Sequence, residues 1–406
     1  MLGLLAPMQI KRNIVLPGIL LLALFACRKE DPADSKITPP ESTDSMLFNL
    51  ENETVKSYLD ILETQPYRDG DYTYSKIDDY YRLTTPYRKD RPAPVTVEWE
   101  REDGCISQKV YVSKSKEFAD AVSMSVKSSV STYEIYNLIP GRTYYWKVLA
   151  SFPDGSSREL VSSSFKTTGR RRFLKVDDLC NVRDLGGIPI DGGAKRIKYG
   201  LLFRGGEMNG NHRDYDDKIC RLDSYGLKAM EQAGIAADLD LRTATEAIDI
   251  TTSPLGKDVD YIRFEQANDF FYDKFWTTDD YVIAMQWTID ELRKGKPVFF
   301  HCIYGADRTG TLAFIIEALL GAGENELSID YELTSFSYGL ESPPRRRGPR
   351  NELSVYRYRQ MVEAVLSPVF PGTTIQEKIR GFLLRSGISE ADLDWFTDYI
   401  TEQIPS

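Results

Sequence analysis

The sequence predicts two folded parts in series, an antiparallel β-sandwich followed by an α/β layered domain. Three observations carry this expectation. Residues 90–168 contain short runs of apolar and polar alternation separated by turn residues, the mark of paired antiparallel strands. From residue 170 to 406, buried-strand patterns alternate with helical ones, which argues for helices layered on a sheet. At 406 residues, the chain is also too long for one ordinary domain.

Composition narrows the function classes. The chain is 42% hydrophobic and 28% charged with 24 Tyr, so it has the means to bury cores. A net charge of −10 argues against a general nucleic-acid binder, and no nucleic-acid partner is expected. The two histidines, His212 and His301, are too few for a histidine-rich metal centre, and neither metal nor cofactor is expected. The five cysteines have no regular spacing and imply no disulfide framework.

Residues 1–26 read as a targeting signal. Lys11 and Arg12 precede an apolar run over 14–26, shorter than the roughly 20 residues a membrane span needs. The run ends Leu24-Phe25-Ala26-Cys27, which resembles a bacterial lipobox. That resemblance implies cleavage before Cys27, lipidation of its thiol, and a lipid anchor outside the cytoplasm, on the periplasmic face or the cell surface. The alternative is a plain signal peptide with an incidental Cys. Residues 27–45 are rich in Pro, Ser, Thr, Asp and Glu and read as a solvated linker. Residues 46–89 hold an amphipathic pattern, Val55, Leu59 and Leu62, and then a Tyr-rich polar stretch; no function is assigned to them.

Within the sandwich region, residues 95–99, 109–113 and 144–149 alternate, and Pro153-Asp154-Gly155 marks the turn between the last two strands. Leu138-Ile139-Pro140-Gly141-Arg142-Thr143-Tyr144 resembles the tyrosine corner of fibronectin type III domains. The resemblance implies that the Tyr144 hydroxyl returns to an upstream backbone group and that Trp99 and Trp146 are core residues. No catalytic constellation occurs here. The expected role is a spacer, or a module that binds protein or glycan.

In the second part, residues 235–239 read as a buried strand. Residues 278–294 read as a helix with Val282, Met285, Ile289 and Leu292 on one face. Residues 297–300 form a short apolar strand running into His301, and 309–320 a strongly apolar helix. Helices over 375–384 and 390–400 close the domain. A site is expected at the carboxyl ends of the strands.

The chemistry concentrates at His301-Cys-Ile-Tyr-Gly-Ala-Asp-Arg-Thr-Gly310. A strand, a Cys, five residues, an Arg and a helix follow one another. Residues 303–307 let the loop curl so that backbone N–H groups point inward at a helix N-terminus, a nest for a phosphate dianion. Ile303, Tyr304, Gly305, Ala306 and Thr309 line this candidate phosphate-binding loop, and Gly305 permits the curvature. Arg308 offers a planar fork for two phosphate oxygens. The same positive potential favours the thiolate of a cysteine placed there, so Cys302 is the candidate nucleophile and a phosphocysteine the expected intermediate. His301 is expected to orient the loop without titrating. Thr309 either hydrogen-bonds the departing thiolate or caps the helix.

Together with Asn181-Val-Arg-Asp-Leu-Gly-Gly187, Asp240-Leu-Arg242, Arg204-Gly-Gly-Glu207 and Asp330-Tyr-Glu-Leu-Thr334, the loop resembles the bacterial tyrosine phosphatase family that includes the secreted mycobacterial dual-specificity enzyme. The resemblance implies a three-layer α/β cysteine-phosphatase domain that hydrolyses phosphotyrosine without a metal, with phosphoserine, phosphothreonine and phosphoinositides as further substrates. Asp307 resembles the loop Asp of this family and of the myotubularins and is the favoured general acid. Asp269 and Asp273, in an aromatic stretch suited to a lid, are the alternatives. Asn181, Arg183 and Asp184 either brace the site or form a turn with Gly186 and Gly187. Arg242 either supports the site or sits in a buried ion pair. Arg345, Arg346, Arg347 and Arg350 either meet an anionic substrate or face solvent.

Ala306 stands where the mycobacterial-type loop has Lys, which favours a singly phosphorylated substrate, a phosphorylated protein or a small phosphomonoester. An inositol polyphosphate or phosphoinositide phosphatase is the alternative. A catalytically silent phosphate-binding or adhesion module is the alternative from another class.

Overall fold

Alternating burial builds the first part of this computed structural model, which describes residues 46–64, 91–177, 179–209, 222–263, 275–337 and 361–404. The strands are β1 (Met46–Asn49), β2 (Val95–Glu98), β3 (Ser107–Ser113), β4 (Val122–Val126), β5 (Thr132–Ile135), β6 (Thr143–Ser151) and β7 (Ser157–Thr168). Along β6 every second residue is buried, as a strand with one covered face requires. A five-stranded sheet runs in the order β1-β7-β6-β3-β4, and β2 pairs with β5 in a second sheet. Val95, Val97 and Ile135 of the small sheet share one core with Val110, Val112, Trp146, Val148 and Phe165 of the large one. Trp99 closes that core and donates from Nε1 to Gln108 Oε1 at 2.6 Å. The Tyr144 hydroxyl accepts from the backbone N of Ile139 at 2.8 Å.

The second part adds β8 (Arg172–Phe173), β9 (Arg183–Asp184), β10 (Pro189–Ile190), β11 (Lys195–Ile197), β12 (Leu202–Gly205), β13 (Ala237–Asp240), β14 (Asp260–Arg263), β15 (Val298–His301) and β16 (Thr401–Gln403). Its helices are α2 (Ser224–Gln232), α3 (Asp280–Arg293), α4 (Asp307–Leu319), α5 (Glu324–Leu333), α6 (Ile375–Arg385) and α7 (Glu390–Ile400); α1 (Glu53–Thr64) lies upstream. The main sheet has the order β14-β13-β15-β12-β9-β8. Strands β14, β13, β15 and β12 are mutually parallel, and β9 runs antiparallel to both its neighbours, β12 and β8. Leu202, Leu239, Val298 and Phe300 face a core shared with α3, α4, α6 and α7. Phe203 and Phe299 face the other way, toward Ala229 and Met230 of α2. Helices therefore cover both faces of a largely parallel sheet. Helix α4 starts at Asp307, earlier than its apolar pattern indicates, because its first turn is the polar pair Asp307 and Arg308.

Residues 46–64 join the two parts. β1 pairs parallel with β7, so the large sheet takes in residues that the sequence left unassigned. Four residues, Met46–Asn49, of which only one is half-buried, carry no readable alternation. The amphipathic pattern at Val55, Leu59 and Leu62 does form a helix. Its apolar face packs on Ile329 and Leu333 of α5 and on Phe173 and Phe336. Tyr58 Oη donates to Glu332 Oε2 at 2.5 Å. Arg172 is a second tie: Nε and Nη2 donate to Leu138 O and Asn137 O at 3.2 and 2.9 Å, and Nη1 donates to Asp184 Oδ2 at 2.8 Å.

Leu59 is 3% exposed at the centre of this contact. Leu59→Ala is expected to lower the unfolding free energy of the α/β part by about 2–4 kcal/mol, measured by urea unfolding followed by near-ultraviolet circular dichroism.

Candidate active site

The parallel register lines up four strand ends. Arg263 pairs with Asp240, Asp240 with His301, and His301 with Gly205. The row lies at the carboxyl edge, where ligands of such sheets bind. β15 delivers Cys302, 3% exposed, to the end of this row, and α4 begins at Asp307. The N-cap, Ala306, offers no side-chain hydrogen bond to the first turn.

The carbonyls of the intervening loop are held outward. Ile303 O accepts from Glu207 N at 3.1 Å. Tyr304 O and Gly305 O accept from Asn181 Nδ2 at 3.3 and 2.8 Å, and Gly305 O also accepts from Arg204 Nη2 at 2.8 Å. A trans peptide is planar, so its C=O and N–H point in opposite directions. Holding these carbonyls outward turns the N–H groups of Tyr304, Gly305 and Ala306 toward the concave side. Gly305 has φ +63°, and a Cβ there would collide with the backbone of Gly205 and Gly206. Only glycine meets both demands.

Buried charges hold the holders. Asp330 on α5 accepts from Arg183 Nε at 2.9 Å and pairs with Arg204. Arg183 Nη2 donates to Asp330 O at 2.6 Å, and Nη1 donates to Asn181 Oδ1. Both guanidinium groups are at most 1% exposed. Burial and the neighbouring Arg204 push the Arg183 guanidinium down to about 10, against the pull of Asp330. Burial opposes ionisation of Asp330 too, but Arg183 and Arg204 hold its carboxyl well below the usual range. Beside it, burial and the charge of Asp330 push the Glu317 carboxyl well above that range. α5 comes this close because residue 310 is glycine: a Cβ there would stand 2.5 Å from the Tyr331 ring.

Arg308 is held from one edge. Its Nη1 donates to Leu241 O at 3.0 Å and to Glu246 Oε2 at 2.5 Å, and its Nη2 donates to Glu246 Oε1 at 3.0 Å. Glu246 Oε2 also accepts from Thr243 N at 2.8 Å. Burial works against the Glu246 charge, but the Arg308 hydrogen bond and charge hold its carboxyl below the usual range. A guanidinium has five N–H groups. Those left uncommitted among the described residues are the Nε–H and one Nη2–H, which lie side by side on one edge. An edge of this kind can take two oxygens of a phosphate.

Residues 174–369 match the tyrosine phosphatase family. The matched stretch contains the loop, Asn181, Arg183, Arg204, Glu246 and Asp330. A protein of Cupriavidus necator, provisionally named a tyrosine-protein phosphatase, is 25% identical over 244 residues, covering 55% of this chain and 81% of the relative. Among solved structures, pectate lyase Pel3 of Pectobacterium carotovorum has 16% identity, a TM-score of 0.18, and coverage of 31% of this chain and 37% of its own. A Photobacterium 2,6-sialyltransferase has 10% identity, a TM-score of 0.16, and coverage of 76% and 61%. This chain thus spans less than two thirds of either structure, and neither superposition is close enough to bear on fold or function.

The remaining candidate residues of the matched stretch divide between loop support and neighbouring ties. His301 is fully buried, stacks on Phe299 and shares an Nε2 to Asp238 Oδ1 hydrogen bond of 3.1 Å. Arg242 lies in a buried ion pair, with Nη2 2.7 Å from Asp240 Oδ2 and Nη1 3.1 Å from Glu207 Oε2. Asp184 accepts from Gly186 N and Gly200 N, both at 2.8 Å. It supports the turn and the Arg172 tie, while Asn181 and Arg183 hold the loop. Thr309 Oγ1 is buried, makes no capping bond and has no hydrogen-bond partner among the described residues. Asp307 and Tyr304 are half-buried. Cys105, Cys180 and Cys302 are free thiols. Cys27, Asp269, Asp273 and the arginines at 345–347 and 350 lie outside the described residues. Glu246 and Asp238 had no signal in the sequence, since a single acid in a turn or strand looks like any other.

The two acids of the α5 cluster are expected to respond oppositely to neutralisation. Asp330→Asn leaves two buried guanidinium groups unpaired and should cost about 3–5 kcal/mol. At about pH 4, Glu317→Gln exchanges one neutral group for another and should stay within about 1 kcal/mol. Because burial raises the Glu317 carboxyl, wild type holds its full stability below about pH 4.3 and loses part of it as pH rises. The Gln variant should therefore gain on wild type as pH is raised above that value, measured by urea unfolding.

Proposed function

We propose that this chain is a cysteine-dependent protein-tyrosine phosphatase. The carrying observation is the free Nε/Nη2 edge of Arg308, fixed by Glu246 at the mouth of a loop whose carbonyls are held outward. The thiolate of Cys302 attacks phosphorus in line, the S–P bond forms, and the bond to the phenolic oxygen breaks. Arg308 and the loop N–H groups carry the equatorial oxygens. Asp307 gives its proton to the leaving oxygen, then accepts one from the water that hydrolyses the phosphocysteine. Thr309 hydrogen-bonds the departing thiolate.

The loop side chains favour a singly phosphorylated substrate. Ile303, Tyr304 and Ala306 bring no positive charge, so nothing in the loop is provided for a second phosphate. The proposal also places the enzyme outside the cytoplasm on a lipid attached to Cys27, supported by the apolar run that ends there. No helix among the described residues is long and apolar enough to cross a membrane. The sandwich, with its Tyr144 corner, is proposed as a fibronectin type III-like module that binds protein or glycan.

Phosphotyrosine peptides are the expected substrates, and Cys302→Ser should lower turnover at least ~1,000-fold. A Cys302→Ser enzyme that kept its rate would overturn the mechanism. Much faster hydrolysis of inositol hexakisphosphate would move the substrate class, and phosphopeptide binding without turnover would make the protein a silent binder. Asp307→Asn should slow phenyl phosphate by about 100-fold and an activated dinitrophenyl ester far less. Equal slowing of both esters would remove Asp307 from the acid role.

A further inference from the structure

The turn that carries Glu246 has its own anchor. Glu246 N and Ala247 N both donate to Thr243 O, at 3.0 and 3.1 Å, and Ile250 N donates to Ala247 O at 3.2 Å. The chain leaves this turn with two carbonyls, those of Ala247 and Ile250, aimed at one guanidinium. Arg263 Nη1 donates to them at 2.7 and 2.6 Å. Arg263 ends β14, in the same register row as Asp240 and His301. The place of Arg263 in that row is set by the pairing of β14, the edge strand, with β13.

We infer that Arg263 is a positioning residue for the phosphate clamp: it fixes the 243–250 turn to the sheet, so that Glu246 meets Arg308 end-on and the Nε/Nη2 edge faces the substrate. The inference rests on the proposed role of Arg308. The linkage is a chain of contacts: β14 carries Arg263, Arg263 holds the carbonyls of Ala247 and Ile250, the turn sets Glu246, and Glu246 orients Arg308. A free turn would let the Glu246 carboxylate swing with its backbone and take Arg308 with it. Misplacement of a reacting group by about 1 Å can cost about 100-fold in rate. Arg263 itself need not touch substrate for this effect. Among the described residues its hydrogen-bond acceptors are the neutral carbonyls of Ala247 and Ile250, so a salt bridge does not account for its placement.

Four variants of the full chain test this, with kcat and KM for p-nitrophenyl phosphate, the inhibition constant of vanadate, and the melting temperature as readouts. Arg263→Met removes both donors and keeps the apolar stem. It should lower kcat/KM by about 10–100-fold and weaken vanadate comparably. Arg263→Lys, whose ammonium has three donors, should recover to within about 3-fold of wild type. In an Arg308→Lys background, adding Arg263→Met should change kcat/KM less than about 2-fold, since the group being positioned is gone. Wild-type kcat/KM and vanadate inhibition in Arg263→Met would overturn the inference. So would Arg263→Lys behaving no better than Met, or a loss confined to melting temperature. An undiminished effect of Arg263→Met in the Arg308→Lys background would overturn it as well. If Arg308→Lys alone matched wild type, the clamp reading itself would fail, which is a separate outcome from a harmless Arg263→Met.

Discussion

The site depends on one buried carboxylate. Asp330 is wedged between the guanidinium groups of Arg183 and Arg204, and those two arginines decide where the loop carbonyls go. Arg204 reaches Gly305 O directly, and Arg183 sets Asn181, which takes Tyr304 O and Gly305 O. Two buried cations with a single carboxylate between them are a poor way to gain stability, because desolvation offsets most of the attraction. Their arrangement makes sense as positioning. Hydrogen bonds from Glu207 N, Asn181 and Arg204 fix the directions of the loop carbonyls, and peptide planarity turns those directions into a row of N–H donors.

The same logic recurs on the far side of Cys302. Arg308 is an always-charged fork, and a free fork would sample many orientations at an entropic cost. Glu246 removes that freedom by taking the end of the guanidinium and leaving its side edge. The two supports come from different places. Asp330 rides on α5, which is backed by α1 and the residues that tie in the sandwich. Glu246 rides on a turn held by the sheet edge. The upstream segment is therefore part of the scaffold behind the loop as well as a connection to the sandwich.

How much of this was legible in the sequence follows from the physics of each feature. Cys302, Arg308, the apolar strand before them and the apolar helix after them are contiguous, so their arrangement could be read from the sequence as one pattern. Helices 375–385 and 390–400 and the alternation of β6 are periodic, so they too were legible. β1 was not, because Met46–Asn49 gains its place only by pairing with a strand more than a hundred residues away. Asn181 and Arg183 were candidates with two readings, and only the fold shows that they hold carbonyls of a loop that lies far along the chain. Glu246 and Arg263 were silent for the same reason. A carboxylate or guanidinium has meaning only through what it touches, and neither partner is near it in sequence.

The outward-held carbonyls should make residues 303–308 an oxyanion cradle completed by the side edge of Arg308. A crystal structure of the full chain with tungstate tests it most directly. The account predicts the anion beside Cys302 Sγ, with backbone N–H groups of the loop and the Nε and Nη2 of Arg308 on its oxygens, and with Glu246 still on the end of the guanidinium. Tungstate bound elsewhere, or Arg308 leaving Glu246 with the loop carbonyls turned inward, would contradict it.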